Sequence, residues 1–125
     1  VYNLWRRFDE DGMDAPFALC DSRTVSEKEL IPTDLFNYGK EEEKTETLAD
    51  ENGFTVEIYQ SMNSDNHKWY FYPKMNRDEV VMFKTYDSNE NPFMPTLHSA
   101  FDDLSCDAKA SPRESIEVRA ICLFE

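Results

Sequence analysis

Glycine is scarce in this chain. Three glycines in 125 residues leave no room for a glycine-rich loop that could cradle a phosphate. Cysteine is scarce too. Cys20, Cys106 and Cys122 are an odd number with no CxxC or CxxH spacing, which argues against a zinc site or a disulfide framework and favours a reducing, cytoplasmic compartment. Cys20 and Cys122 lie in apolar runs and read as small core residues. No apolar stretch approaches the roughly 20 residues needed to span a bilayer. Basic residues number 13 against 26 acidic ones, for a formal charge of −13. So acidic a surface repels nucleic acid and anionic lipid. The acidic run at 40–46 lacks calcium-loop spacing. One last absence is chemical: neither His67 nor His98 has an acid two places on, so the chain holds no His-x-Asp or His-x-Glu pair.

What is present argues for a folded protein. Forty per cent hydrophobic and 14% aromatic residues are too many for a disordered chain, and the length predicts a single domain over 1–125. Val1–Trp5 and Pro16–Asp21 are short apolar runs that read as strands. Phe54–Tyr59 alternates apolar and polar residues as a half-buried strand does, and Lys68–Tyr72, Leu97–Phe101 and Ser115–Phe124 complete the set. Ser26 with Glu29 fits a capping box for a short helix stopped by Pro32. Asn76 with Glu79 predicts a second cap. After it Val80, Val81, Phe83, Lys84 and Tyr86 read as one amphipathic helix of about three turns. The Glu- and Lys-rich stretch from 37 to 53, most acidic from 40, reads as a solvated surface insertion. The expected fold is a mainly β, mostly antiparallel domain with one amphipathic helix. A first strand that begins at Val1 leads one to expect a fragment, a processed product or one half of a split protein.

Chemistry concentrates near the end of the chain. His98 closes one apolar stretch, and Arg113 with Ser115 opens the next strand-like run. An Fe(II)- and 2-oxoglutarate-dependent oxygenase needs this order: a late imidazole for the metal, then a cation for the distal carboxylate of the co-substrate. Arg113 offers a planar fork suited to a carboxylate, and Ser115 adds a hydroxyl on the same strand face. Arg119, also on that face, competes for the role; its plain alternative is a pair with Glu117 or another acid. For His98 the plain alternative is a satisfied structural histidine. His67 reads as a turn or surface residue, and Asp102 and Asp103 as loop acids. Trp69–Tyr72 reads as core, with the lining of a substrate cavity as the alternative.

Several segments in order, among them Pro16-Phe17-Ala18-Leu19-Cys20-Asp21-Ser22-Arg23, His67-Lys68-Trp69-Tyr70-Phe71-Tyr72-Pro73, Leu97-His98-Ser99-Ala100-Phe101-Asp102-Asp103 and Pro112-Arg113-Glu114-Ser115-Ile116-Glu117-Val118-Arg119, resemble the C-terminal half of the fungal hydroxylase/desaturase family. That family includes the gibberellin desaturase, with the small chain of the bacterial cephem 7α-methoxylase as a relative. The resemblance spans the chain outside 40–53. It implies part of a double-stranded β-helix, or jelly roll, lacking its N-terminal half. It implies Fe(II) and 2-oxoglutarate as cofactors of the intact enzyme and a small-molecule substrate of secondary metabolism. By the same resemblance His98 is the distal iron ligand, Arg113 the 2-oxoglutarate anchor, and Ser115 its assistant. The family's first iron ligands have no counterpart here, and one imidazole cannot make a facial triad. The isolated chain is therefore expected to be inactive, with no catalytic residue of its own. A homodimer or a complementary N-terminal half are the expected protein partners. The alternative function is a non-catalytic binding or dimerisation domain on the same scaffold.

Overall fold

The computed structural model describes residues 1–8, 15–38, 54–105 and 112–124. Among the described residues are the strands β1 (Tyr2–Arg7), β2 (Phe17–Cys20), β3 (Leu30–Tyr38), β4 (Phe54–Ser61), β5 (Trp69–Phe71), β6 (Val81–Lys84), β7 (His98–Ala100) and β8 (Ser115–Ala120). They fall into two compact units, one of Val1–Val25 with Asp65–Glu125 and one of Ser26–Ser64.

The first unit holds two three-stranded antiparallel sheets, ordered β6-β1-β8 and β5-β2-β7. In β1 the burial alternates: Asn3, Trp5 and Arg7 are buried, and Tyr2, Leu4 and Arg6 are less so. This is the two-residue period of a strand with one face turned to a core. The core cluster is Trp5, Phe17, Met75 and Phe83, with Leu19 and Val81 packed against it. Trp5 and Phe17 stack with centroids 4.4 Å apart and planes 7° from parallel, and Phe17 tilts against Phe83 at 5.7 Å. Arg7, also buried, donates from Nη1 to the Met75 carbonyl at 3.0 Å.

The second unit contains the antiparallel pair β3–β4, in register from Leu30↔Ser61 to Leu35↔Val56, then shifted before Tyr38↔Phe54. The expected helix after Ser26 is one 3-10 turn, Glu27–Glu29. Its box is present, the Ser26 N–H donating to the Glu29 carboxylate at 2.7 Å. Pro32 lies within β3, opposite Tyr59, rather than beyond a helix end. A two-stranded sheet has only edge strands, where a proline can turn its missing donor outward. Asn37 and Tyr38, placed by the sequence reading in the insertion, belong to β3; residues 39–53 lie outside the described residues.

The expected amphipathic helix over Val80–Tyr86 is not formed; Val81–Lys84 is strand β6. The Asn76/Glu79 signal is physically present, with the Asn76 N–H bonded to Glu79 Oε2 at 2.8 Å and the Asp78 N–H to Asn76 Oδ1 at 2.9 Å. It closes a local turn instead of opening a helix. Val81 and Phe83 then face inward from an edge of the β1 sheet, a position that suits β-branched and aromatic residues. One further correction concerns cysteine: Cys20 is buried, but Cys122 is exposed. Cys106 lies outside the described residues.

Candidate metal and co-substrate site

The register of β1 against β8 builds the polar side of the first unit. Asn3 lies opposite Arg119, Trp5 opposite Glu117, and Arg7 opposite Ser115. Directly opposed residues of an antiparallel pair share a face, so Ser115, Glu117 and Arg119 lie on the same face as Asn3, Trp5 and Arg7, although on this end strand all three are exposed. Ile116 and Val118, which alternate with them, are 47% and 52% exposed.

His98 reaches this side from the other sheet. It opens β7 and pairs with Leu19, and its ring lies 4.7 Å from that of Phe83 and 5.8 Å from that of Phe17. Its Nδ1 is 3.1 Å from the Thr96 carbonyl. A carbonyl can only accept, so Nδ1 carries the hydrogen and, in the neutral ring, Nε2 keeps its lone pair. Nε2 is 4.0 Å from Glu117 Oε1.

Asn3, wholly buried, ties the polar groups together. Its Nδ2 donates to Glu117 Oε1. Its Oδ1 accepts from Arg119 Nε at 3.2 Å and from the Thr85 hydroxyl at 3.3 Å. Arg119 and Glu117 therefore meet through one amide. Arg113 donates from Nη1 to the Ala15 carbonyl at 2.6 Å, and its guanidinium lies 5.4 Å from the Trp5 ring centroid. Ser115 is exposed at the start of β8.

Thr96 is fixed by its own hydroxyl, which donates to the Lys84 carbonyl at 2.8 Å. Lys84 Nζ binds Asp87 Oδ2 at 2.9 Å and Glu90 Oε1. Those two carboxylates raise the Lys84 pKa, and the ammonium, with the Asn89 N–H, lowers that of Asp87. The loop leading to His98 is thus anchored at both ends.

Beside these groups a cleft of about 240 Å³ is walled by Trp5, Phe17, Tyr70, Phe71, Tyr72 and Met75, among others. The expectation that Trp69–Tyr72 is core is corrected: all four are exposed, Tyr70 at 60% and Tyr72 at 58%. Three of the four line the cleft. His67 lies outside any strand, between the turn at 65–66 and β5. Asp103 accepts from the Ser105 N–H and hydroxyl at 2.9 and 2.6 Å, which lower its pKa, as suits a turn acid.

Sequence reasoning singled out His98, Arg113, Ser115 and Arg119. It passed over Asn3 and treated Glu117 only as a possible partner of Arg119. The available signal was the shared strand face of Ser115, Glu117 and Arg119, together with a lone asparagine in an aromatic first strand.

A family described as "Oxidoreductase/YMDC permease-like domain" matches residues 1–123. The chain belongs to this family. Among curated relatives, the Fe(II)/2-oxoglutarate-dependent dioxygenase nvfI of Aspergillus novofumigatus is 32% identical over 97% of this chain and 39% of its own length. The hydroxylase/desaturase asaB of Aspergillus flavus is 29% identical over 100% of this chain and 55% of its own. The likeness to fungal hydroxylases and desaturases noted in the sequence therefore holds along the whole chain. Among solved structures, the iron and alpha-ketoglutarate-dependent endoperoxidase NvfI superposes with a TM-score of 0.71 at 30% identity, over 93% of this chain and 38% of that one. The fold is mainly β and corresponds to part of that jelly roll. The chain spans less than half the length of the first two curated relatives, 39% and 48%.

The family implies iron and 2-oxoglutarate. At this site the described residues offer the His98 imidazole, with Nε2 not engaged by Thr96, and the Glu117 carboxylate 4.0 Å from it. Among them no cluster of three His, Cys, Asp or Glu side chains could hold a metal ion, so they fall short of a facial triad. Among them, too, no helix is long and apolar enough to cross a membrane.

Proposed function

We propose that this chain is the co-substrate-binding and distal-ligand part of an Fe(II)/2-oxoglutarate-dependent oxygenase, a hydroxylase or desaturase acting on an apolar small molecule. The observation that carries the reading is the orientation of His98. Its Nδ1–H is committed to Thr96, and its Nε2 looks into the polar cluster beside the aromatic cleft. Iron and 2-oxoglutarate, when bound, supply the oxygen chemistry. His98 is the ligand this chain contributes. Arg113, steadied over Trp5, is the anchor for the distal carboxylate of 2-oxoglutarate, with Ser115 as a second donor. The aromatic walls exclude water and hold the substrate. The remaining ligands come from sequence that this chain does not contain, so the chain by itself is not a competent enzyme.

The test uses a chimera in which this chain replaces the matching part of the nvfI dioxygenase. Removing one partner of a hydrogen-bonded charge pair costs about 2 kcal/mol or more, so Arg113→Ala should weaken 2-oxoglutarate binding roughly 30-fold or more. Unchanged affinity there, with a loss in Arg119→Ala, would transfer the anchor to Arg119.

A second reading, a binding or dimerisation domain on the same scaffold, is favoured by one observation. β7 and β8 each end their sheets, and the apolar Ile116 and Val118 of β8 are half exposed. An end strand of this kind pairs readily with another chain. Sedimentation that finds only monomer at high concentration would remove this reading.

A further inference from the structure

Strand β8 is polar on the side that faces the other sheet and apolar on the side that faces away. Ser115, Glu117 and Arg119 share the face of Trp5, while Ile116 and Val118 point to the opposite face. An antiparallel sheet with one solvated face keeps its apolar residues inside and its polar residues outside; β8 does the reverse. The register carries this pattern across the sheet. Leu4 of β1 lies opposite Val118 on one side and Met82 of β6 on the other, and Ile116 lies opposite Arg6. Met82 is 65% exposed, and Ile116 and Val118 are half exposed. An apolar band therefore crosses all three strands on the side away from the aromatic core.

Three strands about 4.8 Å apart span about 10 Å from first to last, which one α-helix of about 10–12 Å diameter covers. No α-helix occurs among the described residues, so such a cover is supplied from outside them. A second copy of this chain is a poor candidate, because it would join two chains of formal charge −13 against their mutual repulsion. The curated relatives offer a better one. The chain spans 39% of the nvfI dioxygenase and 55% of asaB, which leaves both with sequence enough for another layer. The charges on the face agree. Lys84 is held by Asp87 and Glu90, whereas Arg6 donates from Nε to the Arg77 carbonyl at 2.6 Å and meets no carboxylate among the described residues.

We propose that the outer face of β6-β1-β8 seats an amphipathic helix supplied by sequence of the longer protein that this chain does not contain. Its apolar stripe lies against Leu4, Met82, Ile116 and Val118, and it turns a carboxylate toward Arg6. This seat rests on the reading of the chain as part of a longer oxygenase and makes no use of His98.

The test is methionine oxidation by dilute peroxide, read residue by residue by peptide mass spectrometry. It compares the purified 125-residue chain with the chimera built on the nvfI dioxygenase. Met62, half exposed in the second unit, and Met75, buried in the core, are the fast and slow standards. In the isolated chain Met82 should oxidise about as fast as Met62. In the chimera Met82 should slow by about tenfold or more, since only opening of the packed layer exposes it. Val118→Asp should leave the unfolding midpoint of the isolated chain unchanged and lower that of the chimera, where the new carboxylate is buried without a partner. Arg6→Glu should likewise lower the midpoint of the chimera more than that of the chain. Met82 oxidising as fast in the folded chimera as in the chain would overturn the seat. Met82 protected in the isolated chain, together with a dimer in sedimentation, would overturn it and give the face to a second copy. A chimera that does not fold would overturn it too, because the nvfI sequence then does not fit this face. Protection of Met82 in a chimera that fails to bind 2-oxoglutarate would support the seat while the proposed function fell alone.

Discussion

Replacing Phe17 by alanine should strongly destabilise the first unit, because this ring joins its two sheets. Phe17 stacks on Trp5 of β1 at 4.4 Å, tilts against Phe83 of β6 at 5.7 Å, and touches His98 of its own sheet at 5.8 Å. It is 9% exposed. Truncating a buried phenylalanine costs about 3–5 kcal/mol, and that range already includes the lost aromatic contacts. The cleft bordering the ring lets neighbours relax, which places the expected loss near about 3 kcal/mol. Against a total of about 5–15 kcal/mol for an ordinary domain, such a loss is severe. In urea, with a slope of about 2 kcal/mol per molar, the midpoint should fall by roughly 1.5 M, read by far-ultraviolet circular dichroism. Leu104→Ala, at a residue 98% exposed, should stay within about 0.5 kcal/mol of the parent. A Phe17→Ala midpoint lowered no more than that of Leu104→Ala would refute the packing argument.

Two further outcomes follow from the ion pairs. Asp21 accepts from the Arg23 guanidinium at 2.8 and 2.6 Å and from its N–H at 3.0 Å, which lowers its pKa to about 2. A depressed carboxylate stabilises the fold above its unfolded pKa of about 3.9 and loses that contribution as pH falls through its folded value. The stability gap between the parent and Asp21→Asn should therefore be constant above about pH 5 and shrink toward pH 2. A gap that does not change with pH would contradict the pairing. Lys84→Met removes the ammonium held by Asp87 and Glu90, and should speed hydrogen exchange between residues 86 and 97 while leaving β1 and β8 protected. Uniform acceleration would mean that the pair holds the sheet rather than the loop.

Several strands were legible from the sequence. Phe54–Ser61 and Ser115–Ala120 present apolar and polar residues with the period of a half-buried strand, and the first two strands stand out as short apolar runs. β6 was misread because Asn76 and Glu79 make a real capping contact, and a cap seen locally cannot reveal that an edge of β1 is waiting for a partner. β3 was hidden because Pro32 and Asp34 interrupt its pattern, and neither matters in a two-stranded sheet. In the candidate site, His98 drew attention by its order before Arg113. Glu117 and Asn3 were not, since 114 positions separate them. Only the β1–β8 register brings the two together, and no local pattern encodes that register.

The central claim is that His98 belongs to an iron and 2-oxoglutarate site completed outside this chain. The chimera with the nvfI dioxygenase tests it most directly, by anaerobic titration with Fe(II) and 2-oxoglutarate and observation of the visible charge-transfer band of the chelated complex. The account predicts a saturable band that disappears in His98→Ala. A folded chimera without the band, or a band that survives His98→Ala unchanged, would contradict it.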